Sequence, residues 1–342
     1  MVTDAIALSE KIKDRFEQYK DRKQFKQVAK LITYSLQILP RKYNRHFGYI
    51  PSIFRQIELY DCAIASNDIY FDEPVIYKLY YPDRQRLYEL PYFYIFCYLK
   101  QNSQQLNVYF QSAHPKHKSL TQQEYNIDCE KISFEGSMSA FDNNNISVIS
   151  VSDPGQFIPG MTSSYYVGSP ELNLNKTIAN VLEKISKLAE ISLQNTMLFG
   201  SSAGTFGALL SSTYLSQKTN VIAVNSQINL QDYKALMLSL LGLAQPKLLR
   251  VYGDRISCMH RFQQNLVSIP NIYLLANIND NLHQKNFEFY QLLISKFSRK
   301  GINNQFVFDS YYGIEGHGRP QAKSLRAKIR IAREILTMKS NL

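Results

Sequence analysis

The sequence predicts an α/β fold, a mostly parallel sheet with helices on both faces, preceded by a helical extension. Three observations carry this. Beyond Asp153-Pro154-Gly155, short apolar runs alternate with segments of helical period. Strands that alternate with helices build a parallel sheet covered on both sides. Residues 46–152 hold β-rich runs separated by turn residues. Residues 4–39 read as helix: Ile6, Phe16, Phe25, Val28, Leu31, Ile32 and Leu36 recur among Lys, Glu and Gln, and Pro40 closes the segment. The expected organisation is a helical extension over 1–45 and an α/β unit over 46–342.

The elements follow in chain order. Strands are predicted at Val75 to Tyr81, Tyr92 to Leu99, Leu106 to Phe110 and Ile146 to Val151, all rich in β-branched and aromatic residues. A helix over 174–190 places Ile178, Val181, Leu182, Ile185 and Leu188 on one face. The short run Thr196 to Phe199 is a buried strand, and 203–216 reads as helix. Val221 to Val224, Ile272 to Ala276 and Gln305 to Phe308 are further strands. Leu248 to Val251 is a candidate short strand. Phe287 to Phe297 and a basic segment, Ala322 to Met338, are helices.

Bulk composition narrows the function. At 342 residues with 45% hydrophobic content, the chain can bury a sizeable core. Lys and Arg number 39 against 28 Asp and Glu, a formal +11. That excess suits nucleic acid, anionic lipid, an acidic polysaccharide or a phosphorylated cofactor, and equally a merely soluble basic protein. No RNA- or DNA-binding motif accompanies it, so nucleic acid ranks last. Cys62, Cys97, Cys129 and Cys258 show no C-x-x-C spacing, so neither zinc nor dithiol chemistry is expected. They read as free thiols in a reducing, cytoplasmic compartment. The first residues lack a basic stretch followed by an apolar one, so no secretory signal is expected. Leu90 to Leu99 is interrupted by Pro91 and too short to cross a bilayer.

The sharpest motif is Phe199-Gly200-Ser201-Ser202-Ala203-Gly204, a Gly-x-Ser-x-Gly between a predicted strand and a predicted helix. This is the context of the nucleophile elbow of the α/β-hydrolase fold. A serine in a tight, strained turn needs small neighbours so that strand and helix approach closely. The helix that follows points its N-terminus at the site, favouring negative charge there. Ser202 is therefore the candidate nucleophile.

A serine hydroxyl needs a base, and the base an orienting carboxylate. In this fold the order is nucleophile, acid, histidine, each after a later strand. Of six histidines, His260, His283 and His317 follow Ser202. His317 lies between glycines in a loop after the last predicted strand, the expected place for the base. Asp280 follows the preceding strand and is favoured as the acid on chain order. Asp254 competes, but Arg255 beside it suggests an ordinary surface pair. Glu315 sits too near His317 in sequence. For the oxyanion hole, one donor is expected from the Ala203 backbone N–H. The other is expected near Ser112, in the loop after Leu106 to Phe110. That loop lacks the usual glycines.

The chain resembles a family of α/β-hydrolase-like proteins encoded with bacterial capsule and surface-polysaccharide genes, which includes capsule O-acetyltransferases. The matching residues are Ile149-Ser150-Val151-Ser152-Asp153-Pro154, Phe199 to Gly204, Val224-Asn225-Ser226-Gln227-Ile228-Asn229, Asn279-Asp280-Asn281-Leu282-His283 and Gly316-His317-Gly318. They span roughly 106–320. The pair Gln111-Ser112 departs from the His-Gly-like pair expected there. The resemblance implies Ser202 as nucleophile, Asp280 as orienter and His317 as base. It also implies acetyl transfer from acetyl-CoA, as co-substrate rather than resident cofactor, to a sugar hydroxyl. An acidic glycan acceptor and peripheral association with capsule assembly machinery at the membrane would follow, with Arg319 near the base meeting the acceptor's charge. An esterase or deacetylase with the same residues stays open, as does a non-catalytic export or assembly protein keeping the fold.

Overall fold

In the computed structural model, residues 2–31, 54–113, 134–230, 248–298 and 305–337 are described, apart from 23, 26, 29, 83, 84, 86, 88, 89, 142–144, 159, 160, 315 and 319–321. Residues 32–39 of the predicted first helix, His46, His114, His117, Cys129, Glu315 and Arg319 lie outside the described residues.

The described strands are β1 (Arg55–Leu59), β2 (Val75–Tyr80), β3 (Tyr92–Tyr98), β4 (Gln105–Phe110), β5 (Ile146–Val151), β6 (Thr196–Ser201), β7 (Asn220–Val224), β8 (Asn271–Asn277) and β9 (Phe306–Tyr311). The helices are α1 (Val2–Asp21), α2 (Leu174–Leu188), α3 (Ala203–Ser212), α4 (Leu248–Ile256), α5 (Cys258–Gln263), α6 (His283–Phe297) and α7 (Ala322–Thr337). The strands form one sheet in the order β1-β2-β3-β5-β4-β6-β7-β8-β9. Strand β3 runs antiparallel to both β2 and β5, and the other described pairings are parallel. From β2 onward this is the strand arrangement of the α/β-hydrolase fold. The added edge strand β1, Arg-Gln-Ile-Glu-Leu, lacks the apolar density that marks the inner strands.

Side chains alternate between two cores, as the strand period of two requires. In β8, Ile272 and Leu274 enter one core while Tyr273 and Leu275 enter the other. The first core is closed by α2, α3, α5 and α6 through Ile178, Leu182, Phe206, Phe262, Phe289 and Leu293. The second is closed by Ile12 of α1, by Phe25 and Val28 just beyond it, and by Ala332 and Leu336 of α7. Every residue of β6, β7 and β8 is buried, so these strands read as apolar runs. Fully burying one such Leu or Ile contributes roughly 1.5–3 kcal/mol.

One sequence expectation is corrected. The segment from Leu248 is helical, not a strand. Strands β7 and β8 pair directly through Val221↔Ile272 and Ala223↔Leu274, so the sheet has no place for a strand between them. No described helix is long and apolar enough to cross a membrane.

Candidate active site

Ser202 stands between β6 and α3 at φ 53°, ψ −119°. For a residue with a Cβ this left-handed backbone costs about 1–3 kcal/mol and persists only where packing enforces it. The enforcement is visible in its flanking glycines. A Cβ on Gly200 would lie 2.3 Å from the Gly204 carbonyl oxygen, and one on Gly204 would lie 2.3 Å from the Phe110 carbonyl oxygen. Strand β6, helix α3 and strand β4 thus meet with no room for side chains. The Ser202 N–H donates to Val224 O at 2.9 Å, tying the turn to β7. All ten residues of α3 are buried, which anchors the elbow from behind.

Loops after β8 and β9 bring the other two groups. Ser202 Oγ lies 2.7 Å from His317 Nε2, and His317 Nδ1 lies 2.7 Å from Asp280 Oδ2. Asp280 Oδ1 accepts from the Leu282 N–H at 2.9 Å. Burial alone would push Asp280 up. The hydrogen bond from His317, the Leu282 amide and the His317 and His283 rings outweigh it and hold the carboxyl below its ordinary value. An ionised Asp280 places the imidazole proton on Nδ1, which leaves Nε2 to accept from the serine. The Asp280 side chain is 1% exposed, whereas that of His317 is 38% exposed.

The histidine loop is held by two buried amides that sequence reasoning missed. Asn277, the last residue of β8, donates through Nδ2 to the carbonyls of Gly313 (3.0 Å) and Gly316, and its Oδ1 accepts from Gly313 N at 3.0 Å. Asn225, at φ 50° just beyond β7, donates to Tyr311 Oη at 2.6 Å and Gly318 O at 3.0 Å, and accepts from Asn277 N at 2.9 Å. Both amides therefore grip backbone on either side of His317. Asn277 stands in an Asn-rich stretch that reads as an ordinary turn. No local signal distinguishes it.

Other expectations need correction. The Ser112 N–H donates to Glu135 Oε2 at 2.8 Å and its hydroxyl to the same oxygen at 2.6 Å. That amide is engaged by a carboxylate and is not left for an incoming oxyanion. Glu135 arrives from within the β4–β5 connection, 23 residues further along the chain, which local sequence cannot show. Ala203, by contrast, is the first residue of α3, so its N–H has no intrahelical acceptor. Asp254 lies on α4 and pairs with Arg261 at 3.9 Å. Arg255 is no surface partner for it. It is 8% exposed and donates to the carbonyls of Val167, Ser169, Pro170 and Leu172. His283 meets Ser310 Oγ at 3.1 Å and packs on Phe308, and His260 lies on α5. Cys62, Cys97 and Cys258 are free thiols, and burial pushes the Cys62 thiol up to about 12. Among the described residues no cluster of three His, Cys, Asp or Glu side chains is placed to hold a metal.

The strand order and the strained serine turn define an α/β-hydrolase-fold protein with Ser202, His317 and Asp280 in hydrogen-bonded series. No protein-family description and no curated protein matches the chain. Solved structures do. One is the capsule O-acetyltransferase of Neisseria meningitidis serogroup A, 18% identical over 70% of this chain and 91% of that one, with a TM-score of 0.47. Another is the Glycosylation Associate Protein complex from Streptococcus agalactiae, 17% identical over 75% of this chain and 46% of that one, TM-score 0.48. A third is a thermophilic esterase from the Planctomycetes species Thermogutta terrifontis, 13% identical over 75% of this chain and 94% of that one, TM-score 0.46.

Proposed function

We propose that the protein is a serine acyltransferase that moves an acetyl group from acetyl-CoA to a hydroxyl of a bacterial capsular or surface polysaccharide. One observation carries the chemistry: Ser202 Oγ, His317 and Asp280 form a continuous hydrogen-bonded series with both links at 2.7 Å. The glycan acceptor and the CoA donor rest on the sequence resemblance, and the formal +11 charge is compatible with both.

The proposed steps use these three side chains in turn. His317 Nε2 takes the Ser202 proton as Oγ bonds to the thioester carbonyl carbon, and the C=O electron pair moves onto oxygen. That oxygen faces the N-terminus of α3 and the Ala203 N–H. The pair returns, the C–S bond breaks, and the thiolate leaves with the proton from His317. A sugar hydroxyl then gives its proton to His317 and attacks the acetyl-serine, and collapse restores Ser202. Asp280 stays ionised throughout and stabilises the imidazolium.

A second reading is favoured by one observation. With its side chain 38% exposed, His317 is within reach of solvent, and water in place of the sugar makes the same groups an esterase.

Mass spectrometry of the protein after incubation with acetyl-CoA tests the reading. The expected result is an acetyl adduct on the peptide carrying Ser202, discharged on adding glycan. No adduct from acetyl-CoA, together with rapid turnover of simple acetyl esters to acetate, would replace the transferase by the esterase.

A further inference from the structure

We propose that Gln227 is a further catalytic residue, its side-chain carboxamide supplying the second donor to the oxyanion. The inference rests on Ser202 as nucleophile and deepens that reading.

The first observation is that two described amides at the start of the β4 loop are already engaged. Acyl transfer at a nucleophile elbow uses two donors, one after the serine and one from the loop after the strand that here is β4. Ala203 provides the first. In the β4 loop the Gln111 N–H donates to Val151 O at 3.2 Å and the Ser112 N–H to Glu135 Oε2 at 2.8 Å. Both are committed to the protein itself.

The second observation is a carboxamide at the nucleophile. Gln227 Nε2 lies 3.4 Å from Ser202 Oγ. The oxyanion is bonded to the same carbon that Oγ attacks. A donor 3.4 Å from Oγ can reach the oxygen that gains charge when the acyl carbonyl is turned towards Gln227. Gln227 is 8% exposed, and its Oε1 is buried with no hydrogen-bond partner among the described residues. Buried polar groups are nearly always paired, so an amide retained with its carbonyl unpaired calls for a functional explanation.

The third observation is rigidity. The backbone one residue earlier is pinned on both sides by Asn286 of α6, which accepts from Ser226 N at 3.2 Å and donates to Ser226 O at 2.9 Å. The Tyr165 phenol neighbours the Gln227 side chain, and burial pushes its pKa up, so that it stays neutral. Tyr165 is itself fixed, its N–H donating to the buried Asp153 carboxylate at 3.1 Å. A donor held before the reaction reorganises little during it, and that is the source of oxyanion stabilisation. No proton moves through Gln227. Its N–H meets the oxygen while that oxygen holds the carbonyl electron pair, and weakens its hold as the pair returns and the leaving group departs.

The test uses Gln227→Met, similar in length but without N–H, and Gln227→Glu, which keeps the shape and puts negative charge beside the oxyanion. Both are compared with wild type on acetyl-CoA and on 4-nitrophenyl acetate. Each is also titrated with an acetyl-like trifluoromethyl ketone, which forms a tetrahedral alkoxide on serine, and with a neutral amide analogue, which does not. The expected result is a fall in kcat of about 10²–10³-fold for Gln227→Met with KM within about twofold. Gln227→Glu should fall further. Affinity for the ketone should drop by the same factor as kcat and affinity for the amide should hold, since only transition-state contacts are lost. Equal loss of both affinities in a folded variant, or kcat within a few-fold of wild type, would overturn the proposal. A Ser202→Ala control separates the two ideas. If it keeps turnover, the serine reading falls. If it is inactive while Gln227→Met is unimpaired, Gln227 alone is wrong.

Discussion

The nucleophile half of the site and the base half are built in opposite ways. Ser202 sits on a turn clamped between β6 and a fully buried helix, with glycines that admit no Cβ. His317 sits on a partly exposed loop whose placement depends on side-chain amides from β8 and from the residue after β7. The first geometry is enforced by close backbone approach at Gly200 and Gly204, within the turn and against β4. The second is enforced by hydrogen bonds between residues far apart in sequence. The serine's position is therefore sensitive to any side chain added at Gly200 or Gly204, whereas the histidine's position can be lost by removing one amide.

The largest break is at the nucleophile itself. Ser202→Ala should lower kcat by about 10⁴–10⁶-fold, since the series acts as a unit. The half-buried hydroxyl contributes little packing, so the thermal midpoint should barely move, and calorimetry beside a turnover assay checks both. Turnover near wild type would remove Ser202 from the chemistry.

On the base side, Asp280→Asn keeps the shape but donates to Nδ1, which leaves the wrong tautomer facing the serine. The expected loss is about 10³–10⁴-fold in kcat. It carries a stability signature as well. The folded-state Asp280 carboxyl is held below its unfolded value. Its ion therefore stabilises the fold above the unfolded value near pH 4 and loses that contribution as pH falls through the folded value. Urea unfolding across acid pH should show a shallower decline for Asp280→Asn than for wild type. A parallel decline would mean the carboxylate is not held as described.

Smaller is the effect of the loop clamp. Asn277→Ala removes the side-chain donor to the Gly316 carbonyl and one of the two side-chain donors to the Gly313 carbonyl, the other being Asn279 Nδ2. It should cost about 1–3 kcal/mol of stability and slow turnover by roughly 10–100-fold, because a misplaced base is expensive. If turnover is unchanged while stability falls, Asn277 supports the fold and not the histidine.

Smallest is the neighbouring serine. Ser201 is 2% exposed at the end of β6, and Ser201→Ala should leave turnover within a few-fold of wild type. If Ser201→Ala proves more damaging than Ser202→Ala, the wrong serine has been assigned.

Legibility divides along the same line. The inner strands and α2, α3, α6 and α7 could be read because apolar period and turn residues are local, and the sheet's class followed from their alternation. Ser202 could be read because a strained turn demands small residues at adjacent positions. His317 and Asp280 could be placed only through the chain order of the fold, and their mutual distance was beyond the pattern. The short strand at Leu248 was misread because three apolar residues in four, interrupted by Arg250, fit either period. The Arg255 environment was misread because adjacency to Asp254 says nothing about burial.

By itself, then, the sequence determined the alternation of strands and helices, the position of the elbow and the order in which serine, acid and base occur. The first two are imposed by constraints between residues a few positions apart, where sterics and side-chain period leave few solutions, and the third follows from the chain order of the fold. Only the tertiary structure decided which groups complete the site. It gave the Ser112 amide to Glu135, set Asn225 and Asn277 under the histidine loop, and carried Gln227 to within 3.4 Å of Ser202 Oγ. A polar side chain can hydrogen-bond any complementary group that packing brings within about 3 Å, so its partner is chosen by the fold and not by its neighbours in the chain.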